Sequence, residues 1–178
     1  MTVQTYGWRD LRMSLVAAAT GVGTPALANF GPTGIGALKQ LAFGINDSVY
    51  IAGHVDHDYL PGSLAYPHVH WSTDGVDTNT VRWELTLSIA AGHNQENFSN
   101  DVTIAVEEAA NGTAWRHMVT EDTGGLSLIE PDTLIIMELA RVTNGGTDNA
   151  DTVFGLFVDF HYQTAQYSTP NRLPNFYT

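Results

Sequence analysis

The ten residues Thr80-Val81-Arg82-Trp83-Glu84-Leu85-Thr86-Leu87-Ser88-Ile89 alternate without a break, apolar at every odd position and polar at every even one. An extended chain puts successive side chains on opposite faces, so this run has one face for a core and one for water; a helix would scatter the same apolar residues around its axis. The period recurs along the chain. It predicts strands over residues 38–44, 47–54, 64–71, 101–108, 114–121, 133–143 and 152–163, separated by clusters of Asn, Asp, Gly and Thr such as Thr143-Asn144-Gly145-Gly146-Thr147-Asp148-Asn149. Eight strands at this spacing predict two packed antiparallel sheets, an all-β sandwich of the jelly-roll type. No long segment carries a 3.6-residue apolar stripe, and the best helix candidate, Leu11 to Ala19, is short and runs into glycines.

Composition narrows the function classes. The chain has 178 residues with 43% hydrophobic and 15% charged side chains, enough apolar material for one core and too little charge for a disordered acidic chain. There is no cysteine, so disulfides and thiolate metal sites are excluded and any bound metal must take imidazole and oxygen ligands. Seven Lys and Arg stand against 19 Asp and Glu, a formal charge of −12 that repels a phosphate backbone and argues against nucleic acid as a partner. No stretch reaches the ~20 apolar residues that span a bilayer, so no membrane partner is expected. Residues 13–28 follow Arg9 and Arg12 and end in Ala26-Leu27-Ala28, like a leader, but Thr20, Gly21, Gly23 and Pro25 break the run and Asp10 sits in its basic flank. We read them as part of the mature chain.

Both ends differ from the middle. Residues 1–36 are rich in Gly, Ala, Thr and Pro, and residues 164–178 carry Pro170 and Pro174, which leaves 37–163 as the jelly-roll domain between two arms. The arms hold Trp8, Leu11, Arg12, Phe30, Phe176 and Tyr177, and apolar side chains of this size are expected to dock on a neighbouring subunit or other partner. Strands such as Leu134-Ile135-Ile136-Met137 and Val153 to Val158 are apolar on both faces, which also favours an oligomer.

The segment Tyr66-Pro67-His68-Val69-His70-Trp71 places two imidazoles on one face of a strand. Two readings stay open. In the first, His68 and His70, with His161 from another strand, form a structural cluster that hydrogen-bonds across strands or lines an interface. In the second, they hold a metal with Asp74, four residues on, or with His161, His54, His57 or Asp56. The spacing from Gly62 to His70 resembles the first half of the cupin metal motif, although Asp74 replaces its Glu, Val81 its following Gly, and the second half has no counterpart. No Gly-X-Ser-X-Gly elbow occurs, so no nucleophilic catalysis is expected.

Several short motifs share an order and spacing: Trp8-Arg9-Asp10-Leu11-Arg12, His57-Asp58-Tyr59, Pro61-Gly62, Pro67-His68-Val69-His70-Trp71, Val81-Arg82-Trp83-Glu84, Asp159-Phe160-His161-Tyr162-Gln163 and Pro174-Asn175-Phe176-Tyr177. Together they resemble a family of virion structural proteins of tailed bacteriophages, over residues 6 to 177. The resemblance implies a virion component that is not an enzyme and has no cofactor. Its jelly-roll form implies a homotrimeric cement or decoration protein on the outer surface of the capsid, with itself and the major capsid protein as partners. A tail fibre, spike or adaptor component is the alternative, and a cupin-like metal-binding protein the second. In the virion setting, His68, His70 and His161 are expected to be structural.

Overall fold

The computed structural model describes residues 7–15, 19–32, 38–98 and 101–165. Its strands are β1 (Gly7–Ser14), β2 (Ala19–Thr20), β3 (Ala26–Asn29), β4 (Lys39–Phe43), β5 (Ser48–His54), β6 (Ala65–Thr73), β7 (Thr80–Ala91), β8 (Val102–Ala109), β9 (Met118–Glu121), β10 (Thr133–Val142) and β11 (Val153–Thr164). One sheet has the order β3-β4-β11-β6-β9 and the other β2-β5-β10-β7-β8, with every pairing between strands antiparallel. The inner fours, β4-β11-β6-β9 facing β5-β10-β7-β8, are two interlocked Greek keys, the strand order of a jelly roll. Strands β4 to β11 match the eight read from the alternation to within a few residues at each end.

The alternation does what it promised. Val81, Trp83, Leu85 and Leu87 of β7 are all buried, and they meet Val69 and Trp71 of β6 and Phe160 and Tyr162 of β11 across the sandwich. The two central tryptophans are fully buried. Trp71 Nε1–H donates to Thr120 Oγ1 at 2.8 Å, and that hydroxyl donates to Glu108 Oε2 at 2.8 Å, so a polar chain ties β6 and β9 to β8 of the facing sheet. Arg141 is buried at the end of β10, where its guanidinium donates to the carbonyls of Phe43 (2.8 Å) and Asn149 (2.6 Å); burial lowers its pKa.

The N-terminal segment corrects two expectations. Leu11 to Ser14, the start of the helix candidate, lies in strand β1, which pairs with β11 from Gly7↔Thr164 to Ser14↔Phe157. The reason is an alternation too short to stand out: Leu11 and Met13 face the core while Trp8, Asp10 and Arg12 face out. Met13 reaches the opposite sheet at Gly53, where a Cβ would sit 2.2 Å from Met13 Cε, so the methionine fills the space that the glycine leaves and would have to shift for any larger residue. Leu11 is therefore spent on the chain's own core. Phe30 likewise packs edge-on to Trp115 (5.5 Å) and Phe154 (5.2 Å) of its own chain. Phe176 and Tyr177 lie outside the described residues, as does most of the C-terminal arm.

Leu134 and Ile136 point outward from β10 beside Tyr50 of β5, and all three are exposed. That strip is the apolar outer surface expected from the doubly apolar strand. Among the described residues no helix is long and apolar enough to cross a membrane.

Candidate functional site

Strand β6 lies between β9 and β11, and register brings its outward residues against chemistry on both sides. His68 faces Glu121 of β9 and Asp159 of β11, and Asp159 in turn faces Arg12 of β1. One strand position over, Tyr66 faces His161, which faces Asp10. The core-facing neighbours Val69, Trp71, Phe160 and Tyr162 fix the strands from behind. The histidines thus look away from the space between the sheets, which is filled by Trp71, Trp83 and Phe43.

Although this is an outer sheet face, His68 and Asp159 are each only about 2% exposed as side chains. Both imidazole Nε2 atoms of the pair aim at Asp159 Oδ1, His68 in close contact and His70 at 3.3 Å. The opposite nitrogens have outer partners: His68 Nδ1 faces the Tyr66 carbonyl at 3.4 Å, and His70 Nδ1 faces His117 Nε2 at 2.6 Å. His70 is clamped between His117 and Phe157, whose ring lies 3.9 Å away and nearly parallel. His161 stands 4.1 Å from the His68 ring, with Nδ1 2.5 Å from Glu121 Oε2 and Nε2 3.1 Å from Asp10 Oδ1.

The two buried histidines are driven apart in pKa. Burial opposes charge on His68, but Asp159, the Tyr66 carbonyl and Glu121 outweigh it and raise its pKa. For His70 burial wins, helped by the nearby His68 and His117, and its pKa is lowered. The ring most at home as a cation and the ring most at home neutral share one carboxylate oxygen.

Beside this cluster, Arg9 of β1 makes a close ion pair with Asp58, which also accepts a 2.7 Å hydrogen bond from Tyr162 Oη–H. Burial and the Asp58 carboxylate raise the tyrosine's pKa. Trp8, 54% exposed, tilts against Tyr66 at 5.8 Å and, with Glu121, Thr123 and His161, lines an open groove.

A second cluster lies elsewhere. Asp132 takes His54 Nε2 (2.9 Å) and His57 Nε2 (2.9 Å) on Oδ1 and His93 Nε2 (2.6 Å) on Oδ2. Burial raises the Asp132 pKa, but the three imidazoles outweigh it and the net shift is downward.

The structure gathers His68, His70 and His161 as the sequence suggested. It does not gather Asp74, whose carboxylate accepts a 2.9 Å hydrogen bond from the Thr152 amide in the turn after β6, nor His54 and His57, which belong to Asp132. Proximity in sequence pointed to Asp74; the strand register supplies Asp159 instead. The sequence reading missed Asp159, Glu121 and His117 as members of the cluster and the whole Asp132 group. A signal existed for Asp159: in Asp159-Phe160-His161-Tyr162 the period of two places it on the face of His161.

No protein-family model matches the chain, and no curated protein matches it either. Solved structures with a similar arrangement include a CBM35 from Cellvibrio japonicus Abf62 (TM-score 0.44, 14% identity, covering 90% of this chain and 99% of that one). A family 35 carbohydrate binding module from Clostridium thermocellum is similar at TM-score 0.46 and 14% identity, covering 84% and 97%. The xylan-binding module CBM15 is similar at TM-score 0.46 and 7% identity, covering 88% and 97%. Likeness at this level carries no functional argument, and the jelly-roll assignment rests on the strand order itself.

Proposed function

We propose that the chain is a structural component of a tailed-phage virion, a homotrimeric cement or decoration protein on the outer surface of the head shell. The observation that carries this reading is where the phage-like motifs meet. Trp8-Arg9-Asp10-Leu11-Arg12, His57-Asp58-Tyr59, Pro67 to Trp71 and Asp159 to Gln163 come from distant parts of the chain, and they assemble one continuous unit. Arg9 and Tyr162 meet at Asp58; His161 pairs with Asp10 and lies 4.1 Å from the His68 ring, and His68 and His70 converge on Asp159. The shared residues are used to hold the sheet together, which suits a shell component. The exposed strip of Tyr50, Leu134 and Ile136 offers apolar area for a neighbour. Each square ångström buried is worth ~25 cal/mol, and a trimer laid over capsid junctions repeats every contact three times, so avidity does the holding. The acidic balance limits adhesion to other anionic surfaces.

A tail fibre, spike or adaptor component is the second reading, favoured by the open groove in which exposed Trp8 and Tyr66 stand beside Glu121, Thr123 and His161, a mixed aromatic and polar lining suited to a receptor. Copy number separates the two. Quantifying the chain against the major capsid protein in purified heads and tails should give copies comparable to the shell subunits, in the head fraction. A handful of copies in the tail fraction would replace the cement reading with the second, and absence from virions would overturn both.

A further inference from the structure

We infer that His68, His70 and Asp159 form a binding site for one divalent transition-metal ion of the zinc type, with His68 Nε2, His70 Nε2 and Asp159 Oδ1 as ligands. Lone pairs are what collide here. A neutral imidazole has one N–H to donate. His70 has a use for its proton on Nδ1, against His117 Nε2 at 2.6 Å, and His68 has one on Nδ1, against the Tyr66 carbonyl at 3.4 Å. Both rings then present bare Nε2 lone pairs to a carboxylate oxygen that can itself only accept. Among the described residues neither His70 Nε2 nor Asp159 Oδ1, both buried, has a hydrogen-bond partner, although they lie 3.3 Å apart; the His68 contact, close as it is, also lacks hydrogen-bond geometry.

A cation resolves the conflict. The three ligand atoms lie within 4.8 Å of one another. In a tetrahedral site with ~2.0–2.1 Å bonds, ligand atoms sit roughly 3.3 Å apart; His70 and Asp159 already stand at that separation, and the closer His68–Asp159 pair has to open to it as the ion enters. Each ligating ring also has the outer partner that metal-bound histidines nearly always have on the other nitrogen, which fixes tautomer and orientation. Two imidazoles and one carboxylate suit a borderline ion better than calcium or magnesium, which prefer oxygen-only shells. The competing account is that His68 carries a proton and forms an ion pair with Asp159. Even with His117 as the donor to His70 Nδ1, that account leaves His70 Nε2 with no group at hydrogen-bond geometry among the described residues. The Asp132 group makes the contrast, since its three imidazoles reach the carboxylate at ordinary hydrogen-bond lengths.

This inference does not depend on the virion reading. The test uses the full chain, stripped by chelator and dialysed, then titrated with Zn2+ by calorimetry and with Co2+ by visible absorption. One equivalent should bind, the Co2+ spectrum should show the intense bands of a low-coordinate ion, and melting should move upward with either metal. His70→Ala and Asp159→Asn should weaken Zn2+ by more than the roughly 10–100-fold that losing an outer partner costs. His117→Ala should fall within that range, and His93→Ala, in the Asp132 group, should change nothing. Should Asp159→Asn fail to fold, the less enclosed His70→Ala carries the test. No saturable binding by the parent chain, binding that survives His70→Ala unchanged, or binding lost equally in His93→Ala would each overturn the site.

Discussion

The chain's histidines number seven, and all seven fall into two groups, each built around one aspartate. At Asp132, which sits in a turn at a positive φ of 64°, the three rings come from two segments, His54 and His57 at the end of β5 and just beyond it and His93 just after β7, and each meets a carboxylate oxygen at a hydrogen-bonding distance. At Asp159, which sits mid-strand, register dictates who the neighbours are, and two rings converge on one enclosed oxygen without hydrogen-bond geometry. The same residue types therefore give a self-sufficient network in one place and an electrostatic deficit in the other. Backbone freedom makes the difference. A turn can adjust until its donors and acceptors match; a central strand locked on both sides cannot.

The largest test of that contrast is to remove the negative charge at each centre in metal-free protein. Asp159→Asn leaves a buried imidazole whose charge has lost its partner, and should cost about 3–5 kcal/mol in urea denaturation. Asp132→Asn, at a partly exposed site where asparagine tolerates the left-handed backbone, should cost about 1 kcal/mol or less. Equal losses would erase the distinction between the two groups.

A smaller effect separates them by pH. The Asp132 carboxyl is held below its usual range, so its contribution is fully present above its unfolded pKa of about 4 and is lost as pH falls through the lower folded value. Wild-type protein should therefore lose stability across that acid window more steeply than Asp132→Asn, with the two curves parallel just above it. Acid unfolding followed by fluorescence at matched ionic strength measures the slopes; identical acid limbs would mean that the three imidazoles do not stabilise the charged carboxylate. Smallest of all is His93→Ala, which leaves His54 and His57 in place and should alter stability by no more than about 0.5 kcal/mol. A loss several times larger would show that the Asp132 group acts as one cooperative unit.

Much of this was legible in the sequence, and the failures have a common cause. Strands β4 to β11 and the shared face of His68 and His70 follow from the two-residue period, which is a property of a single strand. The partner of His68 is not, because it depends on which strand pairs with β6 and in what register. Asp74, near in sequence, was therefore named where Asp159, 91 residues away but directly opposite, belonged. Strand β1 was missed because only Leu11 and Met13 mark its buried face, and its full pattern becomes clear only against the β11 ladder that it completes.

That ladder also sets an order of events as the chain is made. The sheet β2-β5-β10-β7-β8 has all its strands once Val142 has been synthesised. The other sheet does not: among the described residues, β3 with β4, β6 with β9, and β1 alone are joined only through β11, whose near half takes β4 and whose far half takes β1 along the same edge. Until Val153 to Thr164 arrive, a nascent chain holds one finished layer and three loose pieces of the second, with strand edges open to other chains. Closure by so remote a segment is slow compared with local pairing. A ribosome stalled just before β11 should therefore hold a protease-sensitive, aggregation-prone half-sandwich, and release of the last strand should convert it in one step to the closed form.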